Sequence, residues 1–195
     1  MKTFLLRIAL CCGLFFCSLV RNTEIAHAAA CASPAANQIN CRIDQQMIQN
    51  GGGDGFGASV RLGQTVKPSS TKRLCRVDLN IQKNVSYARS LTLKISGPGL
   101  ASPSFVTIQA PAIPLKTPTW IIFNFGCAVG PLLQAGASYF LELSASDSVA
   151  NAYTWINSQG AGGNAAYPHG SGWRNAGAGW MQQNYDYDFK VHLCY

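Results

Sequence analysis

The stretch Cys75-Arg76-Val77-Asp78-Leu79-Asn80-Ile81 alternates apolar and polar residues without a break. A period of two puts Cys75, Val77, Leu79 and Ile81 on one face of a β-strand and Arg76, Asp78 and Asn80 on the other. Downstream, Leu91-Thr92-Leu93-Lys94-Ile95 repeats the pattern and is stopped by Ser96-Gly97-Pro98-Gly99. Phe105-Val106-Thr107-Ile108, Tyr139-Phe140-Leu141-Glu142-Leu143 and Tyr153-Thr154-Trp155-Ile156 read as further strands. Trp120–Phe125 is apolar on both faces, so neither is expected to meet water. In Tyr185-Asp186-Tyr187-Asp188-Phe189-Lys190-Val191-His192-Leu193 every odd position is apolar or aromatic and every even one polar, which describes a half-buried strand. Upstream, Ala58-Ser59-Val60 and Gln64-Thr65-Val66 supply one or two more. No segment carries a sustained i, i+3, i+4 stripe, so little helix is expected. The fold class that follows is all-β, an antiparallel, jelly-roll-like β-sandwich of roughly seven to nine short strands in two facing sheets.

Composition agrees. With 195 residues, 48% hydrophobic and 12% charged, the chain is too apolar for a disordered protein and lacks the composition of a long-helix one. At its start, Lys2 and Arg7 precede the apolar run Ile8–Val20, and Ala26-His27-Ala28-Ala29-Ala30 follows. The apolar run fits an export signal and falls short of the ~20 residues needed to cross a bilayer. Residues 1–28 therefore read as a signal peptide cleaved after Ala28 or Ala30, 29–63 as an N-terminal segment packed on the sandwich, and 64–195 as the sandwich domain. Removing Lys2, Arg7, Arg21 and Glu24 lowers the net charge from +7 to +5. No later stretch is long and apolar enough to span a membrane as a helix, so a secreted, periplasmic or cell-surface product is expected. Its positive charge favours anionic surfaces. The basic residues are scattered apart from Lys72-Arg73 and Arg76, which argues against a nucleic acid partner.

Five cysteines follow the signal: Cys31, Cys41, Cys75, Cys127 and Cys194. An exported compartment permits disulfides. By strand parity Cys75 shares a face with Val77 and Leu79, and Cys127 with Phe123 and Phe125, which makes Cys75–Cys127 a reasonable pair. Cys194 falls on the opposite face from Val191 and Leu193, where Cys41, with Cys31 as competitor, would staple it. Cys31 directly follows Ala29-Ala30 and could carry a lipid, although Ala28 stands where that signal prefers Leu. No C-x-x-C pair remains for zinc.

The order of these segments resembles bacterial exported β-sandwich domains of the "choice-of-anchor" type and, more loosely, jelly-roll carbohydrate-binding modules. The residues that carry the likeness are Gln64-Thr65-Val66 ahead of Leu74–Ile81, Leu91–Ile95, Trp120–Phe125, Leu133–Leu143, and Gly172-Trp173 ahead of Tyr187–Val191. The resemblance implies an extracytoplasmic binding or surface module.

Enzyme signatures are weak. There is no G-x-S-x-G, H-E-x-x-H or G-x-x-x-x-G-K-[ST] segment. Gly51-Gly52-Gly53-Asp54-Gly55-Phe56-Gly57 reads as a flexible loop. Asp186 and Asp188 lie about 6.5 Å apart along one strand face, within the range of glycosidase carboxylates. Projecting side by side next to Lys190, they read instead as a solvated or ion-paired face, and His192 likewise as solvated. No cofactor is called for. Calcium has a conceivable place between Asp186 or Asp147 and loop carbonyls, without an EF-hand pattern to support it.

The suggestive feature is aromatic. Tyr153, Trp155, Tyr167, Trp173, Trp180, Tyr185 and Tyr187 crowd the last third of the chain, among glycines from Gly160 to Gly179. Rings on rigid strands stack on the apolar faces of sugars, while Asn157, Gln159, Asn164 and Arg174 offer partners to hydroxyls. The expected ligand-binding set is Trp155, Asn157, Tyr167, His169, Trp173, Arg174 and Trp180, on the loops between Tyr153 and Tyr185. The alternative placement puts Trp155 and Tyr187 in the core and uses Trp173 and Trp180 to pin the loop. The expected function is a secreted, non-catalytic module binding a glycan or cell-surface ligand. Its rivals are a secreted hydrolase using His169 with an aspartate, and a structural or adhesive envelope protein or lipoprotein.

Overall fold

The computed structural model describes residues 40–146, 149–159 and 167–195. They form two antiparallel sheets. The seven-stranded sheet contains β1 (Cys41–Met47), β2 (Gly52–Phe56), β4 (Lys72–Lys83), β7 (Thr119–Asn124), β8 (Leu132–Leu133), β10 (Tyr153–Asn157) and β13 (Phe189–Cys194). The six-stranded sheet contains β3 (Arg61–Val66), β5 (Leu91–Ser96), β6 (Ser104–Ile108), β9 (Tyr139–Ala145), β11 (Gly172–Asn175) and β12 (Trp180–Gln182), in the order β12-β11-β3-β9-β5-β6. The all-β reading holds. Among the described residues the one helical element is a 3-10 turn at Ala110–Ala112. The signal segment, Cys31, Asp147 and residues 160–166 lie outside the described residues.

β4 is the spine. One edge pairs with β7 through Arg76–Ile81, and the other with β13 and then, at Ile81–Lys83, with β10. Its apolar face, Val77, Leu79 and Ile81, meets Leu93 and Ile95 of β5 and Leu141 and Leu143 of β9 in one fully buried core. Burial of apolar surface at about 25 cal/mol per Å² is the main force holding the two layers together.

Five local readings change in three dimensions. Residues 41–63 do not lie on the sandwich as a separate segment: β1 and β2 join one sheet and β3 the other. The glycine-dense stretch is a strand, because Thr154 and Asn151 lean over the glycines of β2. A Cβ on Gly53 would sit 2.4 Å from Thr154 Cγ2, and one on Gly55 2.4 Å from Asn151 Oδ1. The last strand starts only at Phe189. Tyr185–Asp188 crosses between the sheets, and its two carboxylates hold the crossing instead of facing water. Asp188 accepts from Gln49 N (2.9 Å), Asn50 N (3.2 Å) and Asn80 Nδ2 (3.2 Å). Asp186 accepts from Gln64 Nε2 (2.8 Å) and Tyr167 N (2.7 Å). His192 is buried too, with Nε2 2.9 Å from Asp78 Oδ2.

The disulfides join Cys41 to Cys75 and Cys127 to Cys194, in place of the Cys75–Cys127 and Cys41–Cys194 pairs that parity suggested. The reason is a bulge. His192 pairs with Arg76 and Leu193 with Leu74, so Cys75 is the extra residue and its alternation with Val77 is broken. Cys127 has also left its strand: β7 ends at Asn124, and the N–H groups of Phe125 and Gly126 both donate to Cys75 O. Each bridge skips one strand, and the two lie side by side with Cys41 Sγ 3.9 Å from Cys127 Sγ. No helix among the described residues is long and apolar enough to cross a membrane.

Candidate functional site

Alternation in the six-stranded sheet sends Leu62, Leu93, Leu141 and Leu143 inward, leaving Gly63, Lys94, Phe140, Glu142 and Trp173 on the outer face. Strand register then aligns Gln182, Trp173, Gly63, Glu142, Lys94 and Phe105 in one row across all six strands. At roughly 4.8 Å per strand the row is about 24 Å long. Trp173 and Trp180 stand near one end of it and Phe105, 63% exposed, at the other.

The tryptophan end is built around a glycine. A Cβ on Gly63 would lie 2.2 Å from Phe140 Cζ, so only the bare backbone lets the Phe140 ring tip rest on the strand. Phe140 is edge-on to Trp180 at 4.8 Å and to Trp173 at 6.5 Å. All three rings are half-buried, with their backs fixed and part of their surface open. Trp173 Nε1 is buried without a hydrogen-bond acceptor among the described residues, and a buried donor left unpaired is costly.

Beside the rings lies a charge cluster. Glu142 accepts from Arg61 Nη1 at 3.0 Å and Lys94 Nζ at 2.8 Å, and both cations are well exposed. Burial alone would raise the Glu142 carboxyl. The hydrogen bonds and charges of Lys94 and Arg61 outweigh it and hold the carboxyl below the usual glutamate value. The face therefore offers ring surface, two cations and a fixed acceptor.

The expected ligand set divides. Trp173 and Trp180 belong to this face. Trp155 is sealed in the core, stacked on Tyr187 at 4.5 Å with Nε1 donating to Asp188 O at 2.9 Å. Asn157 is fully buried and caps the backbone N–H of Gln159. Tyr167 is buried against Phe189, and burial pushes its phenol up to about 12. Arg174 lies on the opposite strand face from Trp173, 3.6 Å from Asp54 Oδ1. The hydroxyls of Tyr185 and Tyr187 both donate to Asp54 Oδ2, and burial, reinforced by that carboxylate, raises both phenols.

His169 is exposed, edge-on to Tyr167 at 5.7 Å, in a cleft of about 310 Å³ at the end of the sandwich. No hydrogen bond or ion pair joins it to a carboxylate among the described residues. Asp186 is committed to Gln64 and Tyr167, and desolvation raises its carboxyl against the pull of those hydrogen bonds. His169 and Asp186 are therefore not paired among the described residues.

Neither a scan of protein-family models nor a search of curated proteins finds a match for this chain.

Sequence reasoning missed Phe140, Gly63, Glu142, Lys94, Arg61 and Phe105. A signal was present: Phe140 and Phe105 are aromatics at polar-face positions of alternating strands, and Gly63 is a glycine inside one.

Proposed function

We propose that the protein is an exported, non-catalytic binding module that recognises a glycan across the outer face of its six-stranded sheet. The observation that carries the reading is the cluster of Phe140, Trp173 and Trp180, half-exposed rings fixed on a rigid sheet beside the Arg61–Glu142–Lys94 cluster. A pyranose presents an apolar face to a ring and hydroxyls at its rim, and the row supplies partners for both. The length of the row suits an extended oligosaccharide rather than a single sugar.

Titration of the folded protein against a panel of neutral and acidic polysaccharides, followed by tryptophan fluorescence and calorimetry, tests this. Binding should weaken about tenfold in Trp180→Ala, equivalent to about 1.4 kcal/mol. A folded protein that binds nothing across the panel, or binds unchanged in both Trp173→Ala and Trp180→Ala, overturns it.

A further inference from the structure

The cleft at the end of the sandwich is lined by Gln45, Lys67, Pro68, Ser69, Gly136 and His169. From these residues we infer that it takes an anionic substituent, a carboxylate or sulfate ester, carried by the same glycan that stacks on the aromatic face. The inference rests on the glycan reading and deepens it.

Hydrogen bonding makes the cleft a donor site. Tyr167 Oη accepts from Lys67 N at 3.3 Å, so its own proton goes to Gln45 Oε1 at 2.8 Å. This fixes the Gln45 amide, whose oxygen is engaged and whose NH2 group stays available. Lys67 is exposed and forms no ion pair among the described residues, and His169 adds a ring N–H. Two acids flank the cleft and both are engaged: Asp44 accepts from Ser69 N at 2.9 Å and from the hydroxyls of Ser69 and Ser70, and Asp186 from Gln64 Nε2 and Tyr167 N. On the far side of Asp44, Arg42 and Lys72 sit over the Tyr195 ring at 5.5 and 5.2 Å and add positive charge to this end of the sheet. A fixed amide N–H, an ammonium and an imidazole converging on one space recognise an oxyanion.

The position of the cleft ties it to the rings. Gly63 and Lys67, Gly136 and Phe140, and His169 and Trp173 are each four residues apart. Three neighbouring segments thus each carry one residue of the aromatic site and one of the cleft, at most about 14 Å apart in extended chain. Gly136, which lines the cleft, takes φ +72° with open space beside it: a Cβ there would meet nothing within 4 Å. One polysaccharide chain can reach both.

The test is calorimetric titration of the full chain with a uronate polymer, a sulfated polymer and a neutral glucan, repeated for Lys67→Ala, Lys67→Arg and Trp180→Ala. The expected result is preference for one or both acidic polymers by about tenfold. Lys67→Ala should abolish the preference and Lys67→Arg retain it, while binding to the neutral glucan is unchanged in both. Comparing the two acidic polymers separates carboxylate from sulfate recognition. Equal affinity for all three polymers, or an acidic preference that survives Lys67→Ala, overturns the cleft while leaving the aromatic face intact. No binding to any polymer overturns both.

Discussion

At the residue scale, tryptophans of the same region have opposite surroundings, and substitution separates them. Trp155 is fully buried with its indole N–H satisfied, so Trp155→Ala should cost about 3–5 kcal/mol, read as a large loss of thermal stability. Trp180 is half-exposed, so Trp180→Ala should cost about 1–2 kcal/mol and act mainly on binding. Comparable loss of stability in the two variants would contradict this division. Gly63→Ala is a subtler probe. Its methyl must displace the Phe140 ring, which Trp173 and Trp180 hold from the sides, at a cost of about 1–3 kcal/mol. Melting temperature and glycan affinity should fall together, whereas an unchanged pair would mean the ring does not rest on that strand. Parity could not have sorted these residues, because alternation names a face without saying what covers it. Asp186, Asp188 and His192 show the same limit: all three sit at polar positions, and all three are buried by segments distant in sequence.

At the scale of elements, the strands legible in advance were those whose side chains meet water on one face and the core on the other. Leu91–Ile95 and Phe105–Ile108 appear almost residue for residue as β5 and β6. The strands left unread were β1, β2, β8, β11 and β12, which are short, glycine-rich or polar and owe their existence to a neighbour's edge. The same edge-to-edge logic gives Glu142 its role, because its carboxylate ties β9 to Arg61 on β3 and Lys94 on β5. Its folded pKa is depressed, so its stabilisation is present above the unfolded value near 4.5 and is lost as pH falls through the folded one. Glu142→Gln should therefore lower stability by about 1 kcal/mol at neutral pH in low salt, the pair being partly exposed. The difference should shrink in acid and in high salt. A pH-independent difference in chemical denaturation would contradict the ion-pair account.

At the scale of the whole molecule, two crossed bridges fasten β1, β4, β13 and the end of β7 at one corner of the seven-stranded sheet. Peptide mapping without reduction should recover Cys41–Cys75 and Cys127–Cys194. Recovery of Cys75–Cys127 would show that the bulge at Cys75 is absent in solution. The closed loops span 34 and 67 residues, so reduction should cost about 2–4 kcal/mol per bridge. The architecture was readable because two-residue periodicity is a property of the chain itself. The proposed binding face was only half readable, since Trp173 and Trp180 advertise themselves while the row that continues them exists only once six strands are in register.

The most direct test follows the four indole N–H resonances of Trp120, Trp155, Trp173 and Trp180 by NMR while a bound oligosaccharide is titrated in. Trp173 and Trp180 should shift together. Trp155, locked in the core, and Trp120, beneath Lys190 on the other sheet, should stay where they are. Shifts confined to Trp120, or still resonances for Trp173 and Trp180 at saturation, would place the ligand elsewhere and contradict the aromatic face as the site of recognition.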